Sequence, residues 1–229
     1  MQRPDWQGGG GDAGPAGERG LTLVSHVTEA LARRIISGEL APGEKLRQDH
    51  VAAEFGASHV PVREAFRRLE ARGLATSAPR RGVRVSPLDA SSIREATEMR
   101  AALEALALRH AVGRIGEADI AKARSASREA ERSQSILVFE AANRRFHLAL
   151  TAPCAMLRLM AAIADLHLVC ARFLFAVWRD LDWRLRSEEE HRAILDAALR
   201  GDGEAAAALV GRHIVAAGEA LIGALEAKG

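Results

Sequence analysis

The sequence predicts a mainly α protein in two parts, an N-terminal winged helix-turn-helix followed by an all-α bundle, and three observations lead to it. Ser58 to Gly73 reads as an amphipathic helix, with Val62, Ala65, Phe66 and Leu69 on one side and Arg63, Arg67, Arg68 and Arg72 directed elsewhere. A hairpin pattern with a basic, glycine-bearing tip follows within a few residues. From Pro87 onward the composition turns to Ala- and Leu-rich helix without strand-like alternation. At 229 residues and 48% hydrophobic side chains, the chain can bury more than one small core, in keeping with two domains.

Residues 1–20 hold a Gly run at Gly8 to Gly11 and almost no large aliphatic side chains, the composition of a disordered tail. The winged domain is expected over 21–87. Leu23, Val27, Leu31 and Ile35 step by four along a first helix, which Gly38 and Ala41-Pro42-Gly43 end. A shorter helix runs from about Arg47 to Phe55 and closes at Gly56. The next begins near His59, with Ser58 placed to cap it by accepting a backbone N–H bond. Pro61 is tolerated in its first turn, where N–H groups lack intrahelical partners, and Gly73 suits a left-handed position past its end. Thr76 to Pro79 and Val83 to Val85 then flank Arg80-Arg81-Gly82 as a two-stranded wing.

The net charge of +2 is unevenly placed. Residues 21–88 carry 11 basic against 7 acidic side chains, whereas 89–229 carry 19 against 20. Positive charge gathered around such a helix is what a phosphate backbone attracts, and a helix-turn-helix followed by a basic wing has few uses other than DNA.

The second domain, 88–229, reads as six helices, about Ala90 to Val112, Glu117 to Glu131, Ser135 to Leu150, Ala155 to Trp178, Trp183 to Arg200 and Glu204 to Glu226. Asp182 and Asp202 are placed to cap two of them, and Gly113, Gly116, Pro153 and Gly201 mark breaks. Glu188-Glu189-Glu190 reads as acidic charge favoured near a helix N-terminus. Trp178 and Trp183 are candidates for a pocket wall or a subunit contact.

Three histidines fall on inward faces of these helices. His191 is in phase with Leu195, Ala198 and Leu199, and His213 with Leu209, Ala216, Ala217 and Ala220. His147 follows Asn143 by one turn. Imidazoles and an amide oxygen converging from three helices suit a divalent metal with open positions for water or a ligand oxygen, zinc or nickel rather than magnesium. The alternative is that each histidine is a separately satisfied core residue. His167 and Cys170, one turn apart without further ligands, read as core and rim residues. His26, His50 and His110 have no partner pattern. With only Cys154 and Cys170, neither a disulfide framework nor a Cys-rich zinc site is indicated. No signal pattern is present and charges interrupt the apolar run Met156 to Trp178, so the expectation is a soluble cytoplasmic protein without a membrane segment.

Pro42-Gly43-Glu44-Lys45-Leu46, Ala52-Ala53-Glu54-Phe55-Gly56-Ala57-Ser58, Pro61-Val62-Arg63-Glu64-Ala65 and Leu69-Glu70-Ala71-Arg72-Gly73-Leu74 together resemble the DNA-binding domain of GntR-family transcription regulators. Where that family opens its recognition helix with Ser-Arg-Thr-Pro-Val-Arg, this chain has His59 and Val60 in place of the Arg and Thr. The resemblance implies Arg63 as a DNA contact of the helix and Gly82 as the wing-tip glycine entering the minor groove. Residues expected at the DNA are Arg47, Ser58, His59, Val60, Pro61, Arg63, Arg67, Arg80, Arg81 and Gly82.

The remainder resembles the FCD ligand-sensing domain of the FadR subfamily, through Asn143-Arg144-Arg145-Phe146-His147-Leu148-Ala149-Leu150, His191-Arg192-Ala193-Ile194-Leu195 and Gly201-Asp202 to His213. That domain commonly senses a metal and a carboxylate with one Asp and three His. The resemblance places His147, His191 and His213 as metal ligands and Asn143 at the Asp position, where it offers a neutral, weaker ligand. Arg100, in Met99-Arg100-Ala101-Ala102-Leu103-Glu104, resembles the family's Arg-x-x-Leu-Glu step and is placed to reach an effector carboxylate, with a plain surface ion pair as the alternative.

The reading that follows is a DNA-binding transcription regulator and not an enzyme. It is expected to be a homodimeric repressor of a catabolic operon on a palindromic operator, responsive to a small organic acid. The alternative is a metal-dependent hydrolase fused to a nucleic-acid-binding module. Against the alternative, the chain has no HExxH and no nucleophile-plus-base pattern.

Overall fold

The computed structural model describes residues 15–79, 81–178 and 184–227, with side chains over 23–79, 81–178 and 187–227. The expected cap Asp182, Trp183, Arg80 and residues 1–14 of the expected tail lie outside the described residues. The first helix, α1 (Pro15–Ile36), starts inside the stretch expected as tail. Its Val27, Leu31 and Ile35 are buried, and Gly38 at φ +80 turns the chain beyond it.

Helices α2 (Gln48–Glu54) and α3 (His59–Ala71) form the helix-turn-helix. Val62, Ala65, Phe66 and Leu69 of α3 pack on Val27, Leu31 and Ile35, with Leu74 and Val85 closing the core. Each such aliphatic or aromatic side chain contributes about 1.5–3 kcal/mol on full burial. Gly73 takes φ +69, so the left-handed stop falls where the sequence places it. Ser58 occupies the cap position of α3, but its hydroxyl makes no capping bond. The reason lies three residues on: Pro61 has no N–H to give, so one of the two donors that such a hydroxyl accepts from is missing.

The wing has three strands rather than two. Strands β1 (Lys45–Leu46), β2 (Ala75–Ala78) and β3 (Gly82–Val85) pair antiparallel in the order β1-β3-β2, with Leu46 opposite Val83 and Ala78 opposite Gly82. The Pro42-Gly43 turn therefore feeds a short strand that anchors the wing to the helical core.

Beyond the linker, the described helices are α4 (Ala90–Ala111), α5 (Glu117–Arg132), α6 (Ile136–Thr151), α7 (Leu157–Val177), α8 (Arg184–Leu199) and α9 (Gly203–Glu226). Asp89 and Asp202 cap α4 and α9 by accepting from Ser92 N (2.8 Å) and Ala205 N (2.9 Å). Against expectation, α7 and α9 are long and apolar enough to cross a membrane by length and composition. Both are bundle helices whose inward faces carry His167, Arg172 and His213, each buried within the protein. Phe146, Leu150, Ile194, Val210 and Ile214 fill one part of the bundle core, and Phe139, Phe173, Leu221 and Ile222 another. Trp178 lies against Phe139, with ring centroids 4.9 Å apart.

Helices α4 and α9 approach closely where Gly218 faces Thr97. A Cβ at position 218 would lie 2.5 Å from Thr97 Oγ1 and 2.9 Å from Thr97 Cβ. Gly218→Ala is therefore expected to destabilise the protein by about 1–3 kcal/mol, even though alanine is the better helix former by about 1 kcal/mol. A urea melt checks this, and a stabilised variant would show that the helices part without cost.

Candidate functional site

On the winged domain, the arginines of α3 divide into two groups. Arg68 Nη1 donates to Ser25 Oγ at 3.3 Å, and Arg72 Nη1 donates to Glu29 Oε1 at 2.7 Å while standing 3.7 Å from Asp165 of α7. These two hold α3 to its neighbours and do not form part of an open cationic face, contrary to the expectation for the helix. Arg63 is exposed and has no ion-pair or hydrogen-bond partner among the described residues, and exposed Arg67 has only Glu64 at 3.8 Å. Beside them, Ser58, His59 and Val60 are exposed, Val60 at 63%, and Pro61 is half-buried. His59 Nδ1 stands 3.6 Å from Asp49, and Gln48 Nε2 donates to His59 O at 2.8 Å, fixing the start of α3 on α2. Exposed Arg47 precedes α2, and exposed Arg81 and Gly82 (φ +74) lie at the described end of the wing.

In the bundle, α6, α8 and α9 bring His147, His191 and His213 together, all buried, with one ligand atom from each within 4.8 Å of the others. His191 Nε2 and His213 Nε2 are 3.2 Å apart, and His147 Nε2 is buried without a hydrogen-bond partner. Two nitrogens on a zinc ion at about 2.0–2.1 Å stand roughly 3.3 Å apart at a tetrahedral angle, so the spacing of His191 and His213 fits. Burial lowers the His191 pKa well below its ordinary value and that of His147 to about 3, which keeps both rings neutral and free to ligate at pH 7. Asn143 Oδ1 is another buried atom without a partner, and Asn143 and His213 line the same small cavity of about 50 Å³.

Glu104, wholly buried on α4, was visible in the sequence only as part of the Arg-x-x-Leu-Glu step, and it is the hub of the network behind this cavity. It accepts from Arg100 Nε at 2.6 Å and His147 Nδ1 at 2.7 Å, and His167 Nε2 lies 3.1 Å away. Burial works to raise the Glu104 pKa, but Arg100 and His147 outweigh it and hold the carboxylate well below its usual range. Burial also works against the Arg100 charge, and Glu104 restores it. The surface-pair alternative for Arg100 thus gives way: the residue is 7% exposed, lines the cavity, and keeps Nη2 without a hydrogen-bond partner. His167 belongs to this network, with its pKa lowered by burial to about 4. Burial raises the Cys170 thiol above its ordinary value, and its side chain forms part of the cavity wall.

Glu190 is the other residue whose part the sequence concealed. Starting from Arg184, α8 places it in the second turn, beyond the reach of the helix dipole assigned to the Glu188-Glu189-Glu190 run. Its Oε2 accepts from His213 Nδ1 at 2.7 Å, while Glu188 pairs with Arg192 at 2.7 Å.

Comparison with known proteins agrees with both halves of this architecture. Residues 23–85 match bacterial regulatory proteins of the gntR family, and residues 95–216 match the FCD domain. A probable D-xylose utilization operon transcriptional repressor of Paenarthrobacter nicotinovorans is 32% identical over 85% of this chain and 87% of that protein. The Nta operon transcriptional regulator of Aminobacter aminovorans is 29% identical over 78% of this chain and 85% of its own length. Among solved structures, Escherichia coli McbR/YncC superimposes with a TM-score of 0.73 over 90% of this chain and 99% of its own, at 22% identity. These matches give no support to a hydrolase, since the matched class acts by binding DNA. The chain belongs to the GntR family of transcription regulators and is one of its members with an FCD domain.

Proposed function

We propose that this regulator represses a catabolic operon in the cytoplasm, binding a palindromic operator as a homodimer and responding to a small carboxylate held at or near a divalent metal in the FCD domain. The observation that carries this reading is the buried cluster of His147, His191 and His213, whose His213 lines a small cavity together with two unpartnered groups, Asn143 Oδ1 and Arg100 Nη2. His147, His191, His213 and Asn143 would hold zinc or nickel, and the ion when bound supplies a positive centre for an anionic ligand. Arg100 offers a second, charge-assisted contact to a carboxylate. A cavity of about 50 Å³ suits a small acid rather than a large one.

Helix α7 supplies the connection to DNA. His167, Cys170, Ala171 and Leu174 on one side of it line the cavity, and Arg172 donates from Nη2 to Ser86 O at 2.7 Å, just past the wing. An effector that shifts α7 therefore shifts the mount of the winged domain. Arg47, Arg63, Arg67 and Arg81 are exposed cations available to DNA, and a single α3 spans too few base pairs for useful specificity, which favours a dimer on two half-sites.

Metal analysis of untagged protein, followed by gel-shift titration against the operator with a panel of small carboxylates with and without metal, tests the reading. The expected result is stoichiometric metal that His191→Ala loses, and an acid that changes operator affinity only when metal is present. An acid acting equally without metal would leave the cavity as a direct carboxylate pocket.

A further inference from the structure

We infer that Glu190 is a positioning residue of the metal centre, holding His213 in its ligating form as Glu104 holds His147, and supplying the negative charge that the neutral Asn143 does not. The inference rests on the metal reading of the three histidines. An imidazole that donates its Nδ1 hydrogen to a carboxylate carries its lone pair on Nε2, so whatever binds Nδ1 selects the nitrogen that faces the metal. The bundle does this twice. Glu104 Oε2 accepts from His147 Nδ1 at 2.7 Å between α4 and α6, and Glu190 Oε2 accepts from His213 Nδ1 at 2.7 Å between α8 and α9. The nitrogens left over are His147 Nε2, buried without a partner, and His213 Nε2, 3.2 Å from His191 Nε2.

Charge gives the arrangement its purpose. Three neutral imidazoles and an amide bring no negative charge to a divalent ion. Carboxylates hydrogen-bonded to the far side of two rings raise the basicity of those ligands. The charge of Glu104 is already matched by Arg100 at 2.6 Å, so Glu190 is the one that offsets part of the cation's charge, without occupying a coordination position. Helix α8 therefore contributes through neighbouring residues, His191 as ligand and Glu190 as the brace of a ligand on α9. Among the residues with described side chains, Glu190 has no arginine or lysine partner, and Glu188 is the glutamate that pairs with Arg192.

Glu190 tests the inference better than Glu104, because its side chain is 32% exposed and its loss leaves no buried cation behind. The full-length chain, stripped of metal by a chelator, is titrated with zinc and with nickel in competition with a chromophoric chelator. Alongside, the melting temperature is read with and without ion. Glu190→Ala is expected to weaken metal binding about 10–100-fold and Glu190→Gln by less, because the amide still accepts from Nδ1 but brings no charge. The melting temperature of the metal-free protein should stay near that of the parent, while the rise on adding metal shrinks. Equal affinity of Glu190→Ala and parent overturns the inference and leaves the metal site standing. A parent chain that takes up neither ion overturns both.

Discussion

Glu104→Ala is expected to lower the stability of the FCD domain by about 3–5 kcal/mol, the usual cost of removing one partner from a buried ion pair. The carboxylate is wholly buried and faces Arg100 Nε at 2.6 Å, His147 Nδ1 at 2.7 Å and His167 Nε2 at 3.1 Å. Its removal strands the buried Arg100 charge without its partner and leaves one His147 N–H without an acceptor. Glu104→Gln keeps oxygen and volume and should lose less. The same network makes the parent protein acid-sensitive. Burial lowers the folded-state pKa of His147 to about 3 and of His167 to about 4, whereas unfolded histidines titrate near 6.5. Below that pH the unfolded chain takes up protons that the folded chain refuses, so stability is full above about pH 6.5 and falls as pH drops toward 4. Glu104, held low in the folded state, adds loss of the same sign below about pH 4.5. Urea denaturation of the metal-free protein at pH 7.5 and pH 5, with and without Glu104→Ala, measures both effects. A parent protein equally stable at the two pH values would contradict the acid argument.

What the sequence disclosed, and what it hid, follows from the range of the interactions. The phase of His147, His191 and His213 was legible because each needs only its own helix to define an inward face, and the Gly73 stop was legible because a left-handed residue is a local requirement. Glu104 was hidden because Arg100 is four residues away and the pair reads as an ordinary surface couple. Its other partner, His147, is 43 residues distant and meets it only through packing of α4 on α6. Glu190 was hidden behind two neighbouring glutamates, and the partner that distinguishes it, His213, is 23 residues away on the next helix. Strand β1 has no signature in the sequence because a two-residue strand has no periodicity, and its pairing with β3 joins Lys45 to Arg84. The inward use of Arg68 and Arg72 has the same origin. Helix phase shows that an arginine leaves the apolar face of α3 but not whether Ser25, Glu29 or Asp165 waits for it.

That division of the α3 arginines leads to the expected behaviour of Arg63→Ala, a loss of about 1–3 kcal/mol in operator binding, roughly 5- to 150-fold, with little loss on unrelated DNA. Arg63 stands one turn into α3 on the exposed side, next to Val60, and no side chain competes for its guanidinium among the described residues. A free planar fork so placed on a groove-sized helix fits bidentate contact with a guanine edge, which discriminates between bases and is lost only on the cognate site. Arg81, at the wing, differs in kind. A cation meeting phosphate weakens binding to all sequences when removed and lowers the slope of log affinity against log salt by about 0.9 per contact. Gel-shift titrations of Arg63→Ala and Arg81→Ala on operator and on scrambled DNA, over a range of salt, separate the two roles. If Arg63→Ala lost affinity equally on both DNAs and shifted the salt slope, the residue would be a backbone contact, and specificity would have to come from His59 and Val60 at the start of the helix.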